Sequence, residues 1–395
     1  MPRLARDRVT WLVYAQLGIY GYFLYGLGPV VPLLRREQGT TVAVASLHST
    51  ALAVGALIGG ALFPALVRRY GRGAVLWWSL AGLVLATGVF CLVRPIWATL
   101  AAVMAAAVVG TWVVTGTITS LNEYHGETSS AAISEANAAA AGMGIVAPLL
   151  IGAAIRAGWG WRPALFAVAG LVGLVAVVAW AFRVRVPPGS GYAGTPVRGP
   201  LPRRYWIAWA LMGVTSSVEV CLSLWAAEVL RTDVGMTPGG SSAAVASIVV
   251  GMFIGRVVGG RVALRFRPVP LLLGALALSA CGFATFWLAG SSWVAGSAWL
   301  AIAGLVLLGL GNAMHYPLAI SMAVAAGGAQ PDKAAAYASY SVAVGFGLGP
   351  LILGWVADGL GSAHLAFLLV PVLLAAAAVL AVRLRPTAPV STVPG

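Results

Sequence analysis

Charged side chains are scarce in this chain: Asp, Glu, Lys and Arg together make up 9% of its 395 residues. A soluble domain carries about a quarter charged residues, whereas here hydrophobic residues reach 60%. A water-soluble fold of this length has no interior large enough to hide so much apolar surface. The scarcity of charge therefore excludes a soluble protein and predicts one embedded in a lipid bilayer.

Cysteine and histidine are also rare, with three and four residues respectively. The cysteines, Cys91, Cys221 and Cys281, are far apart and show no paired spacing. His-Glu-x-x-His, Gly-x-Ser-x-Gly and the phosphate-binding Gly-Lys loop do not occur in the sequence. We therefore expect no metal, no cofactor, no ATP-driven step and no enzymatic activity.

Long apolar runs are abundant, and each is long enough to cross a bilayer, which takes about 20 residues. The twelve predicted spans are 9–34, 42–67, 74–93, 96–122, 131–155, 162–182, 205–230, 241–264, 268–289, 293–323, 333–357 and 363–382. Strands of a membrane barrel are about half as long and alternate in polarity. The runs therefore predict an all-α membrane protein of twelve transmembrane helices.

The basic residues indicate the orientation of these helices. With the N-terminus inside, seventeen of the 24 Lys and Arg residues lie on the cytoplasmic side, six lie outside and Arg256 lies within a span. The positive-inside rule then places both termini in the cytoplasm, with the protein in the cell membrane. The net charge of +14 has the same origin, and no basic stretch interleaved with aromatics suggests a nucleic-acid partner.

The second half of the chain repeats features of the first. Residues 147–152 (Ala-Pro-Leu-Leu-Ile-Gly) return 202 positions later as 349–354 (Gly-Pro-Leu-Ile-Leu-Gly). Gly55 and Gly59 return 196 positions later as Gly251 and Gly255. Such echoes are typical of transporters built from two parallel repeats. We predict bundles of six helices at 1–183 and 204–385, a Pro- and Gly-rich cytoplasmic linker at 184–203, and a disordered tail at 386–395.

The loop after the second span carries a family motif. It follows the pattern Gly-x-x-x-Asp-Arg-x-Gly-Arg, with Arg69, Gly71 and Arg72 in place but Pro64 and Arg68 at the Gly and Asp positions. Over its full length the chain resembles the major facilitator superfamily. The resemblance implies two six-helix bundles that alternate access around a central cavity, usually in a monomer.

The same resemblance implies which residues gate the cavity. They are Arg69 and Arg72 of the loop, Arg265 of its repeat copy, and the echoed Pro148 and Pro350. Because the acidic residue of the family's gate is missing, we hypothesise that Glu123 binds the basic loop instead. The alternative is that Glu123 belongs to a solvated cytoplasmic mouth.

Two further patterns bear on the subgroup. The fourth span has no Arg and the fifth has Ala147-Pro148 where drug antiporters usually have Gly-Pro, which disfavours an antiporter. Val218-Glu219-Val220 with Trp225 downstream is similar to the sugar and fucose-permease-like branch. Trp225 is therefore a candidate substrate contact.

Ionisable groups inside the membrane each cost about 2.5–3.5 kcal/mol and so need a reason. Glu219 lies fourteen residues past Tyr205, roughly 21 Å along its helix. There a carboxyl can carry a proton, or it can simply hold helices together. Arg256 can pair with Glu219 or hold a carboxylate or phosphate of a solute, since guanidinium suits bidentate recognition. Its alternative is to extend towards lipid head groups.

Several polar and aromatic residues within spans are weaker candidates. His315 suits a proton relay or a packed core position, Asn312 shares its face, and Pro317 predicts a helix kink. The remaining candidate substrate contacts are Trp112, Tyr22, Tyr25, Asn137 and Tyr340. For the tyrosines, packing between helices is the equal alternative.

These features predict a secondary transporter that moves a small organic solute, coupled to protons through Glu219. Two alternatives stay open. One is an exporter of drug-like molecules, which the aromatic and sparsely charged interior favours. The other is a receptor on the same scaffold, which binds its ligand without moving it.

Overall fold

The computed structural model describes most of the chain, and what it describes is helical. The described residues are 6–125, 129–186, 199–263, 266–290, 297–327 and 331–385, and within them no strand occurs. The helices are α1 (Arg8–Gln38), α2 (Val42–Tyr70), α3 (Arg72–Leu92), α4 (Ile96–His125), α5 (Ser129–Arg156), α6 (Arg162–Ala181), α7 (Arg203–Thr232), α8 (Pro238–Ala244), α9 (Ala246–Ala263), α10 (Pro268–Ala289), α11 (Ala298–Asn312), α12 (His315–Ala326), α13 (Pro331–Leu360), α14 (Ala363–Ala366) and α15 (Leu369–Arg383). The predicted linker 184–203 lies mostly, and the predicted tail 386–395 entirely, outside the described residues.

These helices form twelve segments that are long and apolar enough to cross a membrane. Nine segments are single helices, and three are pairs: α8 with α9, α11 with α12, and α14 with α15. The predicted all-helical fold of twelve spans is confirmed.

Local chemistry sets the ends of the first helices. The Asp7 carboxylate accepts a hydrogen bond from the Thr10 amide at 2.9 Å and so caps the start of α1. The helix stops at Gly39, whose φ of 61° is left-handed and suits glycine. Gly71, with φ 79°, separates α2 from α3. The turn that presents the basic loop is therefore set by a glycine.

The tenth span breaks at Ala313 and Met314, between α11 and α12. Proline lacks an amide hydrogen, and its ring clashes with the carbonyl four residues earlier. For Pro317 that carbonyl belongs to Ala313. The predicted kink is therefore real, but the structure places it one turn before the proline. Asn312 and His315 flank the break.

Each half of the chain has its own apolar core. One core joins buried residues of α1–α6 and the other joins those of α7–α15. We call the membrane face with Arg8 and Arg383 the terminus face and the face with Gly39 the opposite face. The second core also includes Val31 and Val42 of the first half, which lie at the opposite face. The two halves therefore share apolar packing on that side.

The repeated glycines occupy equivalent places in the two halves. A Cβ atom added at Gly59 would lie 2.5 Å from the carbonyl oxygen of Val108, because α2 packs closely on α4. One added at Gly255 would lie 2.7 Å from the carbonyl oxygen of Leu310, because α9 packs closely on α11. The second and eighth spans thus correspond, as the sequence echo predicts.

The repeated proline segments correspond in the same way. Pro148 lies in α5, which packs along α1, the first helix of its half. Pro350 lies in α13, which packs along α7, the first helix of the second half. Both prolines therefore sit on helices that flank the interface between the halves.

Large apolar side chains cover the outside of the molecule. Leu92 and Trp180 are 84% and 82% exposed, which only a lipid environment makes favourable. Exposed tryptophans cluster near helix ends, as in the aromatic belts of membrane proteins. They include Trp11, Trp78 and Trp206 at the terminus face and Trp97, Trp159 and Trp299 at the opposite face.

Candidate functional site

The two halves contact each other along the opposite-face part of their helices. There α2 packs on α13, and α5 packs on α8 and α9. The Thr50 hydroxyl donates to the Gly347 carbonyl at 2.8 Å, and the Trp225 indole donates to the Ser46 hydroxyl at 3.1 Å. At the terminus face, the ion pairs between described residues stay within one half.

A buried carboxylate, Glu228, is the centre of this contact zone. It is 3% exposed and lies at the end of α7. It accepts from Arg35 at 2.8 Å and Arg36 at 3.0 Å, both at the end of α1, and from Arg231 of its own helix at 3.1 Å. One carboxylate therefore ties the ends of the first and seventh spans together.

A second carboxylate, Asp358 near the end of α13, reaches the start of α2. It accepts from the amides of Val42 and Ala43, each at 2.9 Å. The first amides of a helix have no partner within the helix, and its N-terminus carries partial positive charge. Asp358 of the second half thus caps a helix of the first half.

A small cavity of about 50 Å³ lies at the inner edge of this contact zone. Its walls come from both halves of the chain. They are Leu24, Tyr25, Leu27 and Gly28 of α1, Ser49 and Leu52 of α2, Glu219, Val220, Ser223 and Leu224 of α7, and Phe346 of α13. Glu219 and Tyr25, which belong to different halves, therefore line one small cavity at the interface.

Glu219 is placed here by two features of the fold. Helix α7 carries it to the interface, and Asn312, the last residue of α11, lies close enough to interact with its carboxyl. Arg256 of α9 is close enough for electrostatic attraction. The two charges do not form a direct ion pair, unlike those of Glu228 and Arg35.

Arg256 also reaches across the interface. Its guanidinium lies close enough to the hydroxyl of Tyr25 in α1 for the two groups to interact. Tyr316, at the start of α12, lies within electrostatic range of both Arg256 and Glu219. We call Tyr25, Glu219, Arg256, Asn312 and Tyr316 the central cluster.

The central cluster offers one carboxyl group, one permanent cation and several hydrogen-bonding groups in apolar surroundings. Charges attract more strongly there than in water, and an unpaired charge is costly. A change in the protonation of Glu219 therefore changes the balance of charge felt by Arg256. The arrangement suits an anionic or hydroxyl-bearing ligand held by Arg256 and a proton held by Glu219.

Two predicted substrate contacts lie in helix packing of the first half. Tyr22 is 1% exposed, and its hydroxyl donates to the Ala164 carbonyl of α6. The indole of Trp112 donates to the Gly59 carbonyl at 2.9 Å, between α4 and α2. For Tyr22 the structure favours the packing alternative.

Three more predicted contacts also lie outside the central cluster. Trp225 is fully buried and joins the halves through Ser46. Asn137 is exposed, and its amide donates to the carbonyl one turn earlier in α5. Tyr340 is half exposed and packs edge-on against Tyr337 in α13.

His315 does not reach the central cluster through any described contact. It is 1% exposed, and its Nε2 lies 3.3 Å from the Ser279 hydroxyl, inside the second half. Its neighbour Asn312, in contrast, reaches Glu219. Of the two residues that flank the break, Asn312 therefore joins the central cluster.

The predicted gate residues are placed as follows. Arg72 binds Glu123 at 2.7 Å, which is the contact hypothesised from the sequence, and both residues belong to the first half. The Arg69 guanidinium lies over the Tyr70 ring. The side chain of Arg265 lies outside the described residues.

Sequence reasoning missed Glu228, Asp358 and Tyr316. Glu228 and Asp358 lie near the ends of spans, where charges are common and carry no signal of their own. Spacing gave no signal either, because Glu228 follows Glu219 by nine residues, which is two and a half turns and places it on the opposite side of α7.

Comparisons with known proteins bear on the family and the fold of the chain. The sequence profile of the Major Facilitator Superfamily matches residues 13–324 and, in an overlapping second match, residues 206–394. A search of curated proteins finds no match.

Solved transporters share the fold at low sequence identity. The nucleoside transporter NupG has a TM-score of 0.78 and 12% identity, covering 96% of this chain and 99% of its own. A bacterial homolog of the human lysosomal transporter Spinster, in an inward-facing and occupied conformation, has a TM-score of 0.71 and 16% identity. The match covers 97% of each chain. The fucose:proton symporter FucP of E. coli has a TM-score of 0.63 and 16% identity, and the match covers 96% of this chain and 98% of FucP.

Proposed function

This chain belongs to the Major Facilitator Superfamily and is a membrane transporter of solutes, and we propose that it moves a small organic solute together with protons. The solute carries a carboxylate or several hydroxyls. The observation that carries the proposal is the pair Glu219 and Arg256, close in the central cluster but not bonded to each other.

Coupling follows from the charges of that pair. When Glu219 is ionised, it offsets the charge of Arg256 and repels an anionic solute. When Glu219 takes up a proton, the charge of Arg256 is no longer balanced. Arg256 then binds the anionic group of the solute instead of interacting with the Glu219 carboxylate. Proton and solute therefore bind together.

Movement follows from the position of Tyr25. Its hydroxyl belongs to the first half and lies within reach of the Arg256 guanidinium of the second. A solute that engages Arg256 competes with this contact, so that occupancy changes the affinity between the halves. Unequal affinity for the two states is what lets a bound ligand shift access from one side to the other.

The proposed setting is a monomer in the cell membrane, with both termini in the cytoplasm and domains at 1–183 and 204–385. Seventeen of 24 basic residues then lie on the cytoplasmic side. In that orientation the contact zone of Glu228 and Asp358 closes the cavity from the outside.

Transport in reconstituted vesicles tests the proposal. We expect a pH gradient to drive accumulation of a monocarboxylate or sugar by the native protein. Glu219→Gln is expected to lose gradient-driven accumulation but to keep exchange of solute for solute, because exchange needs no net proton movement. The matched control is Glu135→Gln, which removes a carboxylate from a surface ion pair with Arg6.

Three outcomes contradict the proposal in different ways. Equal accumulation by the native protein and Glu219→Gln shows that this carboxyl does not couple transport. Efflux of solute from the vesicles, driven by an inward proton gradient, indicates an exporter. Binding of solute without accumulation under any gradient indicates a receptor.

A further inference from the structure

A second and larger cavity, of about 630 Å³, lies at the terminus face of the second half. It forms where α7 and α10 begin and where α12 and α15 end. Helices α10 and α15 pack on other helices of the second half, so the cavity lies away from the interface between the halves. It is therefore separate from the central cluster.

The rim of this cavity is strongly cationic. Three arginines line it, Arg204, Arg267 and Arg385, and its lining includes no acidic residue. Arg204 is held in place because it donates to the Leu384 carbonyl. Arg267 and Arg385 are exposed and take part in none of the ion pairs between described residues.

Two helix N-termini add to the positive field. Both α7 and α10 begin at the cavity without a side-chain cap and without an acidic residue in the first turn. The helix dipole at such ends favours an anion, and free amides add to it at α7; at α10 only Val269 offers one, because Pro268 and Pro270 have no amide hydrogen.

The interior of the cavity, in contrast, is apolar. Val269, Met322, Ala326 and Leu384 line it. A free phosphate ion gains nothing from such walls. A molecule with an anionic head and a hydrocarbon chain, in contrast, fits both the cationic rim and the apolar interior. The cavity also lies at the membrane face that carries most of the arginines, where such molecules are concentrated.

We propose that this cavity binds the head group and upper acyl chain of an anionic phospholipid, with Arg267 and Arg385 on the phosphate and the apolar walls on the chain. Arg204 positions the end of α15 and so shapes the cavity. Occupancy holds the starts of α7 and α10 against the end of α15 and stabilises the second half.

The test compares full-length protein in nanodiscs of phosphatidylcholine with and without phosphatidylglycerol. We expect phosphatidylglycerol to raise the unfolding temperature and to be retained on the protein in native mass spectrometry. Arg267→Gln and Arg385→Gln are each expected to lower its affinity about fivefold, equivalent to about 1 kcal/mol per arginine near an anionic head group. Arg94→Gln, an exposed arginine at the opposite face, is the matched control and should change nothing.

A variant that leaves the charge intact tests the apolar part. Ala326→Phe fills the cavity and should reduce retention of phosphatidylglycerol as much as Arg267→Gln, while transport by the central cluster continues. The proposal is overturned if the arginine variants retain phosphatidylglycerol as the native protein does. It is also overturned if inorganic phosphate alone reproduces the full stabilisation, because the site then recognises a free anion.

Discussion

The two faces of the molecule differ in whether described carboxylates join the two halves, although Glu37 at the opposite face pairs with Arg162 inside the first half. At the opposite face, Glu228 and Asp358 of the second half bind groups of the first half. At the terminus face, Glu135 binds Arg6 and Glu123 binds Arg72, in both cases within the first half. A bond inside one half moves with it, whereas a bond between halves must break when that face opens.

Burial separates the same groups. The side chain of Glu228 is 4% exposed, while those of Glu135 and Glu123 are 35% and 36% exposed. Exposed ion pairs contribute about 0–1 kcal/mol, but removing one partner of a buried pair costs several times more. If the protein alternates access as proposed, this contrast predicts that the equilibrium between open and closed states is set mainly at the opposite face.

The largest expected effect comes from Gly28→Ala. The new Cβ would overlap the Ser223 carbonyl, and because the Cβ is fixed to the α1 backbone and the carbonyl belongs to the α7 backbone, neither can move aside alone. We expect this to oppose closure of the opposite face by about 3 kcal/mol, the upper end for overpacking. Transport should fall by about a hundredfold, and a Ser46→Cys variant should become accessible to impermeant thiol reagents.

Gly60→Ala is the control for that substitution. No atom lies within 4 Å of a Cβ added at Gly60, so this variant should transport normally. Normal transport by Gly28→Ala would show that α1 and α7 need not approach so closely.

Glu228→Gln ranks next. It leaves Arg35 and Arg36 without a charged partner, and because Arg36 is 40% exposed, water offsets part of the loss. We expect closure of the opposite face to weaken by about 2 kcal/mol, less than for a fully buried pair. Distances between spin labels at the ends of α1 and α7 should show a larger open population.

The matched control is Arg231→Gln, which removes a partner of the same carboxylate from the same helix. It should leave the open population unchanged because the bonds between the halves persist. Equal opening in both variants would mean that Glu228 acts within α7 alone.

Asp358→Ala is expected to have a smaller effect. It removes a helix cap from α2, but Thr41 still caps the same helix by accepting from Val44. Loss of a cap costs about 1 kcal/mol, so the open population should rise about fivefold. An unchanged spin-label distance between α2 and α13 would contradict this role.

The smallest effect concerns Asp7 at the terminus face. Burial acts to raise the pKa of Asp7, but hydrogen bonds from Tyr124 and Thr10 outweigh it and hold that pKa below its usual value. Its stabilisation is therefore present above the ordinary value of about 3.9 and is lost as the pH falls through the lowered one. Thermal unfolding should show native protein more stable than Asp7→Asn at neutral pH, with the difference disappearing in acid.

That substitution should not change the spin-label distances at the opposite face, since Asp7 contacts only the first half. A change there would show that the two faces are coupled through α1. The two faces could then not be treated as independent.

Sequence analysis predicted part of the site because charge inside a membrane is expensive. Glu219 and Arg256 stood out for that reason, and both belong to the central cluster. Glu228 did not stand out, because an acid beside Arg231 at the end of a span resembles an ordinary interfacial residue. Its role depends on Arg35 and Arg36, more than 190 positions earlier in the chain.

The tyrosines of α1 show the same limit within a single helix. Tyr22 and Tyr25 are three residues apart and were equal candidates by spacing. The structure bonds Tyr22 to Ala164 inside the first half and turns Tyr25 towards Arg256. Each residue turns the helix by about 100°, so the two tyrosines point in different directions and meet different neighbouring helices. The local sequence does not show which helices those are.

The amino-acid sequence by itself determined that this protein lies in a membrane, crosses it twelve times and is built from two related halves. Those properties depend on the length of apolar runs and on repeated glycines and prolines, which act locally or between adjacent helices. Only the tertiary structure decided which carboxylates join the halves, which tyrosine faces the cavity and where the arginines of the second half converge. Those properties depend on contacts between distant segments, whose free energy arises only when the helices have packed.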